Sequence, residues 1–389
     1  MLGPLSLQMA HGLLSPSARV LVAAALPGET DVDALPWAQV HWPTLVSLTT
    51  YERAETSVGQ LLRRVTAVVP EDVHRAVQAL ERIERFRAAE RGDAAATVID
   101  ALAEARVPVL WLKGAALAMQ SPAGFGVRSM GDLDLLVAPS DRARAHAALA
   151  GAGWSSPTVP GYADHHHGAP YIRPGGLRLE VHSALFPPNH PFAPEPASDW
   201  VARGVQMQWG PRCVLVLPPA WHVVHASTHW AWSHEGTVGS WQYLHDMHRL
   251  TAGWAPDGSE WELVIRHARQ IGAALPVGWA AWSARQLVGL DVSELVISRL
   301  RGRLHLMGMA ERQWVLAAFH SPAASPSVRW SRFWWRRAMH GLGDAGGRWP
   351  WALGRVATLP PAFDPQSNSG ALHNRLSRWR RHLARVFSS

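Results

Sequence analysis

From about residue 10 to residue 105 the apolar positions recur at three- and four-residue spacing. PSARVLVAAAL, VHWPTLVSLTTYERAETSVGQLLRRV and PEDVHRAVQALERIERFRAAERGDAAATVIDALAEA each carry one apolar stripe, the pattern of helices packed on a core. Pro70-Glu71-Asp72 supplies a helix start, with proline at the entry and acids in the first turn. After Arg106 the period changes. VPVLWL is a short apolar run fitting a buried strand, and it leads through Lys113-Gly114 into a small-residue helix, AALAMQ. A glycine-containing loop, SPAGFGVRSMG, precedes a second apolar run, DLDLLV. SDRARAHAALAGAGW reads as a helix ending at glycine, and HHHGAPYIRPGGLRLEVHSAL as two strands joined at Pro-Gly-Gly. CVLVLP is the last strand candidate, near residue 217. Helices then return in PAWHVVHASTHWAW, SWQYLHDMHRLTAGW and EWELVIRHARQIGAALPVGWAAWSARQLVGL. The last part, through NRLSRWRRHLARVF, mixes basic helical segments with Pro and Gly breaks.

This order predicts an α+β chain: a small mixed-sheet core flanked by helical regions on both sides. The expected division is 1–105 helical, 106–217 α/β core, 218–310 helical, and 311–389 a basic Trp/Arg-rich helical region.

Composition narrows the picture. With 389 residues, 48% hydrophobic and 17% charged, the chain suits a folded protein with a sizeable core. A single cysteine, Cys213, excludes an internal disulfide and a Cys-rich zinc motif. The beginning of the sequence lacks the basic start and long apolar run of a signal peptide, and no apolar run reaches a membrane-spanning length, so a cytoplasmic location is expected. The formal charge of +7 fits nucleotides, phosphorylated substrates, nucleic acid or an acidic membrane face, and selects none of them. Trp279 and Trp282 lie at helical spacing among apolar residues and read as core. RWSRFWWRR, from Arg329 to Arg337, reads as a packed amphipathic helix with Arg stems over the rings, or as a nucleic-acid or membrane surface.

The basic residues hold one oddity: 36 are Arg and one, Lys113, is Lys. It stands beside Gly114, shortly before Asp132 and Asp134. Strand alternation puts these two acids on one face, with Leu133 and Leu135 on the other. Side-by-side carboxylates repel unless a cation sits between them, and a small set of acidic oxygens suits Mg²⁺ or Mn²⁺ shared with substrate phosphates. The alternative is a pair of turn and cap residues at a strand's start. A strand followed by Gly114 and a helix start offers free N–H groups to an anion. A third acid follows in LRLEVHSAL, where Arg178, Glu180 and His182 share a strand face.

LKGAAL, VRSMGDLDLLV, the helix ending GAGW, and LEVHSALF together resemble the LKG…R…DiDlLv…LG(y/w)…iElH signature of one branch of the nucleotidyltransferase superfamily, the uncharacterised nucleotidyltransferase family proteins. His229, Trp241 and Asp246 match its later H…wl.D stretch, and the resemblance spans roughly residues 20 to 270. It implies metal-dependent transfer of a nucleotidyl group, or a related phosphate-linked group from a nucleotide sugar, to a small-molecule or peptide acceptor, in a setting such as natural-product tailoring. Under it, Asp132, Asp134 and Glu180 hold Mg²⁺ or Mn²⁺, or Glu180 takes the acceptor proton. Lys113, Gly114, Ala115 and Arg128 bind the NTP, and Lys113 joins the catalytic set. His182, His167, His229 and Asp246 line the acceptor pocket. Ala115 stands where the superfamily often has Ser, which leaves only a backbone N–H to meet phosphate.

Several residues keep two readings. Lys113 contacts phosphate or acceptor, or it makes a salt bridge to Asp132, Asp134 or Glu180. Its ammonium fits a narrow gap that a guanidinium would not. Arg128 grips phosphate bidentately, or it pairs with Asp132. His222, His225 and His229 share a helical face at a spacing that can bind zinc, without the Glu of HExxH. His245-Asp246 is the rival metal pair of a phosphohydrolase, or a buried polar pair. In DHHHGAPY at most His165 and His167 converge, and a loop at the site's mouth is favoured over a zinc site. Two rival functions remain: an RNA-modifying transferase using the basic tail (Arg375, Arg378, Arg380, Arg381, Arg385), and a non-catalytic nucleotide sensor.

Overall fold

The computed structural model describes residues 14–26, 28–65, 68–157, 168–186, 197–234, 236 and 239–301. Arg329–Arg337, the basic tail and the histidines at 165–167, His167 among them, lie outside the described residues.

Four helices open the chain: α1 (Pro16–Ala23), α2 (Trp42–Tyr51), α3 (Glu55–Leu62) and α4 (Glu71–Glu104). Ser15 caps α1 by accepting the Ala18 N–H, and Pro70 precedes α4 as its sequence predicts. The stretch VHWPTLVSLTTYERAETSVGQLLRRV is two helices rather than one. Arg53 breaks it with a left-handed backbone (φ 55°), a conformation that stops a helix.

The α/β part contains β1 (Val109–Trp111), α5 (Lys113–Gln120), β2 (Asp132–Val137), α6 (Arg142–Gly151), β3 (Tyr171–Ile172), β4 (Arg178–His182), α7 (Ala197–Ala202), β5 (Val205–Trp209) and β6 (Arg212–Val216). The six strands form one mixed sheet in the order β3-β4-β2-β1-β6-β5. At its centre β1 runs antiparallel to β2, and β2 parallel to β4. The β3–β4 hairpin turns through Gly175 and Gly176, both at positive φ, as Pro-Gly-Gly suggested. Sequence reading did not find β5. It is an edge strand with largely exposed side chains, so it lacks an apolar run to announce it.

Helices return as α8 (Pro219–Thr228), a π-helical turn (His229–Ser233), α9 (Ser240–Leu250), α10 (Ser259–Gln270), α11 (Ala274–Val288) and α12 (Glu294–Arg301). No helix among the described residues is long and apolar enough to cross a membrane.

Alternation along the strands sorts two cores. Trp111, Leu133, Leu135, Leu179 and Val181 pack with α4, α5 and α6 on one face of the sheet. On the other face Leu110, Leu112 and Leu136 join a larger cluster built from α1–α3 together with α8–α12. Helices from both ends of the sequence therefore share one core across the sheet, and Trp279 and Trp282 are buried in it. Asp132 and Asp134 belong to this second face. Where the apolar packing stops, at their end of β2, a cavity of about 700 Å³ opens between sheet and helices.

Candidate active site

The sheet supplies an acidic wall. Register pairs Asp134 with Glu180 and Leu136 with His182, so period-two alternation aligns Asp132, Asp134, Glu180 and His182 on the cavity side. Lys113 reaches the same place from the other direction. The chain leaves β1, turns at Lys113 with φ 48°, and starts α5 there. That left-handed backbone is costly for a residue with a Cβ, and it points the ammonium at Asp134, with Nζ 2.6 Å from Oδ1. His182 Nε2 lies 2.8 Å from the same oxygen and 3.8 Å from Glu180 Oε2. Asp134, Glu180 and His182 each offer a ligand atom within 4.8 Å of the others, a set of two oxygens and a nitrogen that could hold a divalent ion.

The protonation of this wall follows from its crowding. Burial, then the charges of Asp134 and Asp132, push Glu180 up to about 7, against the opposing pull of Lys113. Burial and the Asp134 charge also raise Asp132. Burial would raise Asp134 too, but the Lys113 ammonium and the His182 hydrogen bond outweigh it and hold this carboxyl below its ordinary range. For Lys113, burial favours the neutral amine, yet the surrounding acids prevail and its pKa is raised. One firm carboxylate, one firm ammonium and one poised carboxyl thus stand together without a metal.

The facing wall is helical and rich in imidazole. His222 and His225 on α8, then His229 and His234 around the π-turn, all line the cavity. The wide turn places them in a row. The His234 N–H donates to the His229 carbonyl five residues back, which brings the two rings together, tilted at 55° with centroids 4.5 Å apart. His229 lies 6.2 Å from His225. Burial holds all four neutral at pH 7: His222 and His234 fall to about 4, and His225 and His229 lie well below the ordinary value. They form no three-ligand cluster among the described residues.

Between the walls runs the loop before β2, and it is held from every side. Arg128 Nε and Nη2 take both oxygens of Asp246 on α9, at 2.6 and 2.8 Å, and its Nη1 donates to the Ser129 carbonyl. Gln242 of α9 donates to that same carbonyl at 2.7 Å. The Ser129 hydroxyl donates to Glu55, and Arg91, paired with Glu84, donates to the Met130 carbonyl. Gly114 is needed under this strap, because a Cβ there would lie 2.7 Å from Arg128 Nη2.

A family model described as "Uncharacterised nucleotidyltransferase" matches residues 38–289, well over half of the chain. The chain belongs to this family. No curated protein and no solved structure matches it. The nucleotidyltransferase match covers the helices that bring Arg53 and Glu55 as well as the sheet and the imidazole wall, so the cavity lies inside the matched region.

Within this nucleotidyltransferase, the expected residues are placed as follows. Lys113, Gly114, Arg128, Asp132, Asp134, Glu180, His182, His229 and Asp246 all line the one cavity. One of them is arranged otherwise than the sequence suggested. Arg128 is neither free for phosphate nor paired with Asp132, because its fork is spent on Asp246. Ala115 is buried in the apolar cluster behind the sheet, away from the cavity. His245 and Asp246 diverge: His245 Nδ1 meets the Ala25 carbonyl, so they do not form a metal pair.

Arg53 and His234 were missed. Arg53 lines the cavity with its guanidinium against Gly131, where any Cβ would collide with it, and it makes no ion pair among the described residues. No sequence signal marked Arg53, which sits inside a stretch whose apolar spacing reads as one helix.

Proposed function

We propose that this chain transfers a nucleotidyl group from an NTP, or a related phosphate-linked group from a nucleotide sugar, to a small-molecule or peptide acceptor. The observation that carries this reading is the acidic wall itself: Asp132, Asp134 and Glu180 converge with Lys113 at an uncapped helix start, in a cavity large enough for a nucleotide. Asp132, Asp134 and Glu180 would hold Mg²⁺ or Mn²⁺, which supplies charge neutralisation at the phosphates. His182 holds Asp134 in orientation. The free N–H groups at the start of α5 receive phosphate oxygens, and the guanidinium of Arg53 takes over the grip expected of Arg128. Glu180, poised near neutrality, accepts the proton of the acceptor hydroxyl if it is not itself ligating. The imidazole wall, with Leu185, Phe186 and Trp230, forms the acceptor side.

In this division of labour, 106–217 carries the chemistry, 1–105 contributes Arg53, and 218–310 contributes the acceptor wall. A setting in natural-product tailoring in the cytoplasm belongs to the same proposal. The test is direct. NTPs labelled at the α-phosphorus are offered with Mn²⁺ and fractionated small-molecule and peptide acceptors. Label on an acceptor with release of diphosphate is the expected result. Tight nucleotide binding with label on nothing would replace the transferase by a nucleotide sensor.

A further inference from the structure

Asp134 has two oxygens, and the chain has already filled one. Its Oδ1 accepts from Lys113 Nζ at 2.6 Å and meets His182 Nε2 at 2.8 Å. A carboxylate oxygen has about two lone-pair sites, so Oδ1 has none left to give and Oδ2 alone remains. A pair of divalent ions about 3.5–4 Å apart is commonly bridged by a carboxylate that gives one oxygen to each. The central acid of this wall cannot do so while Lys113 is in place. We propose that the site takes a single divalent ion, and that the ammonium of Lys113 stands in for a second.

Three features support the substitution. An ammonium is a compact point charge, close to an ion in shape, whereas a planar guanidinium could not share one carboxylate oxygen with an imidazole. Lys113 acts electrostatically on Asp132, Asp134 and Glu180 together, as a shared cation must. Its backbone holds a left-handed turn (φ 48°) to deliver it, although 36 other basic residues of the chain are Arg. The lone lysine is thus explained by the place it occupies rather than by its charge alone.

This inference rests on the metal reading above, and one experiment separates their failures. Mn²⁺ is titrated into the full chain, without nucleotide and with a non-transferable α,β-methylene NTP. Ions per chain are counted by native mass spectrometry, and electron paramagnetic resonance reports whether bound ions couple magnetically. The wild type is expected to hold one ion per chain with an uncoupled spectrum. Lys113→Met is expected to double the count and show coupling. Two coupled ions in the wild type would overturn the proposal, even if Lys113→Met does not fold. A count of one in folded Lys113→Met would overturn it as well. No Mn²⁺ in the wild type, or binding undiminished in Asp134→Asn, would instead sink the metal reading itself.

Discussion

The two walls of the cavity solve opposite problems. On the sheet, three carboxylates are packed closer than their charges allow, and the chain compensates with Lys113 and His182 placed at hydrogen-bond distance. On the helices, four imidazoles are buried, and they stay neutral because burial outweighs the nearby carboxylates that favour their charge, Asp246 at His222 and Asp134 at His225 and His234. Among the described residues, Nδ1 of His225 is buried without a hydrogen-bond partner. On the acidic wall Asp134 alone is fully compensated within the protein, and Asp132 and Glu180 are raised by burial and by their neighbours' charges. In the proposed function, that difference assigns the reagent to the acidic wall and the acceptor to the imidazole wall.

The contact that joins the walls is the place to break the comparison. Arg128 and Asp246 are both buried, and their bidentate pair ties the loop before β2 to α9. Asp246→Ala leaves a buried guanidinium unpaired, which costs about 3–5 kcal/mol. The urea midpoint should fall accordingly, and Asp246→Asn, which keeps one acceptor, should lose less. Equal stability in all three proteins would show that the helices hold the loop without this pair.

Most of the acidic wall was legible in the sequence because a strand's period is two and does not depend on distant packing. DLDLLV and LRLEVH name the face and the residues on it, and their register then places Asp134 beside Glu180. Arg53 and the role of Arg128 were not legible. Both depend on which helices cross the sheet, and the shared core of α1–α3 with α8–α12 is a property of three-dimensional packing. The alignment of His234 with His229 was hidden for a local reason. An α-helical reading puts residues five apart on different faces, and only the π-turn returns them to one.

Acid sharpens the comparison with a smaller effect. In the unfolded chain a histidine titrates near 6.5, and in the fold His222 and His234 titrate at about 4. The folded state binds fewer protons, so stability is whole above 6.5 and is lost as pH falls toward 4. Glu180 works in the opposite sense, because its folded value of about 7 lies above the unfolded 4.5 and acid relieves its burial. Asp132 and Glu55 are also raised by burial and act with Glu180, but the five buried imidazoles and the depressed Asp134 outweigh these three carboxyls. The metal-free protein should therefore show a falling urea midpoint from pH 6.5 to pH 4, with a shallower fall in His222→Gln. Asp246, Arg128 and the Lys113 carbonyl surround His222, so the slope is read against the Asp246→Asn background as well. A flat profile in the wild type would mean that these rings are charged, or hydrated, in the fold.

The smallest effect concerns the residue that departs from the superfamily's pattern. Ala115 follows Gly114 at the start of α5, where a serine hydroxyl would be expected to touch phosphate. Its side chain is instead buried in the cluster behind the sheet, with Trp111, Leu133 and Val181. A hydroxyl added there gains no phosphate and must find a partner among apolar groups, at a cost of about 1–3 kcal/mol if it finds none. Ala115→Ser should therefore leave nucleotide affinity unchanged by calorimetry while lowering the melting temperature slightly. A clear gain in affinity would turn α5 about its axis and bring Ala115 into the cavity, with consequences for Lys113 at its start.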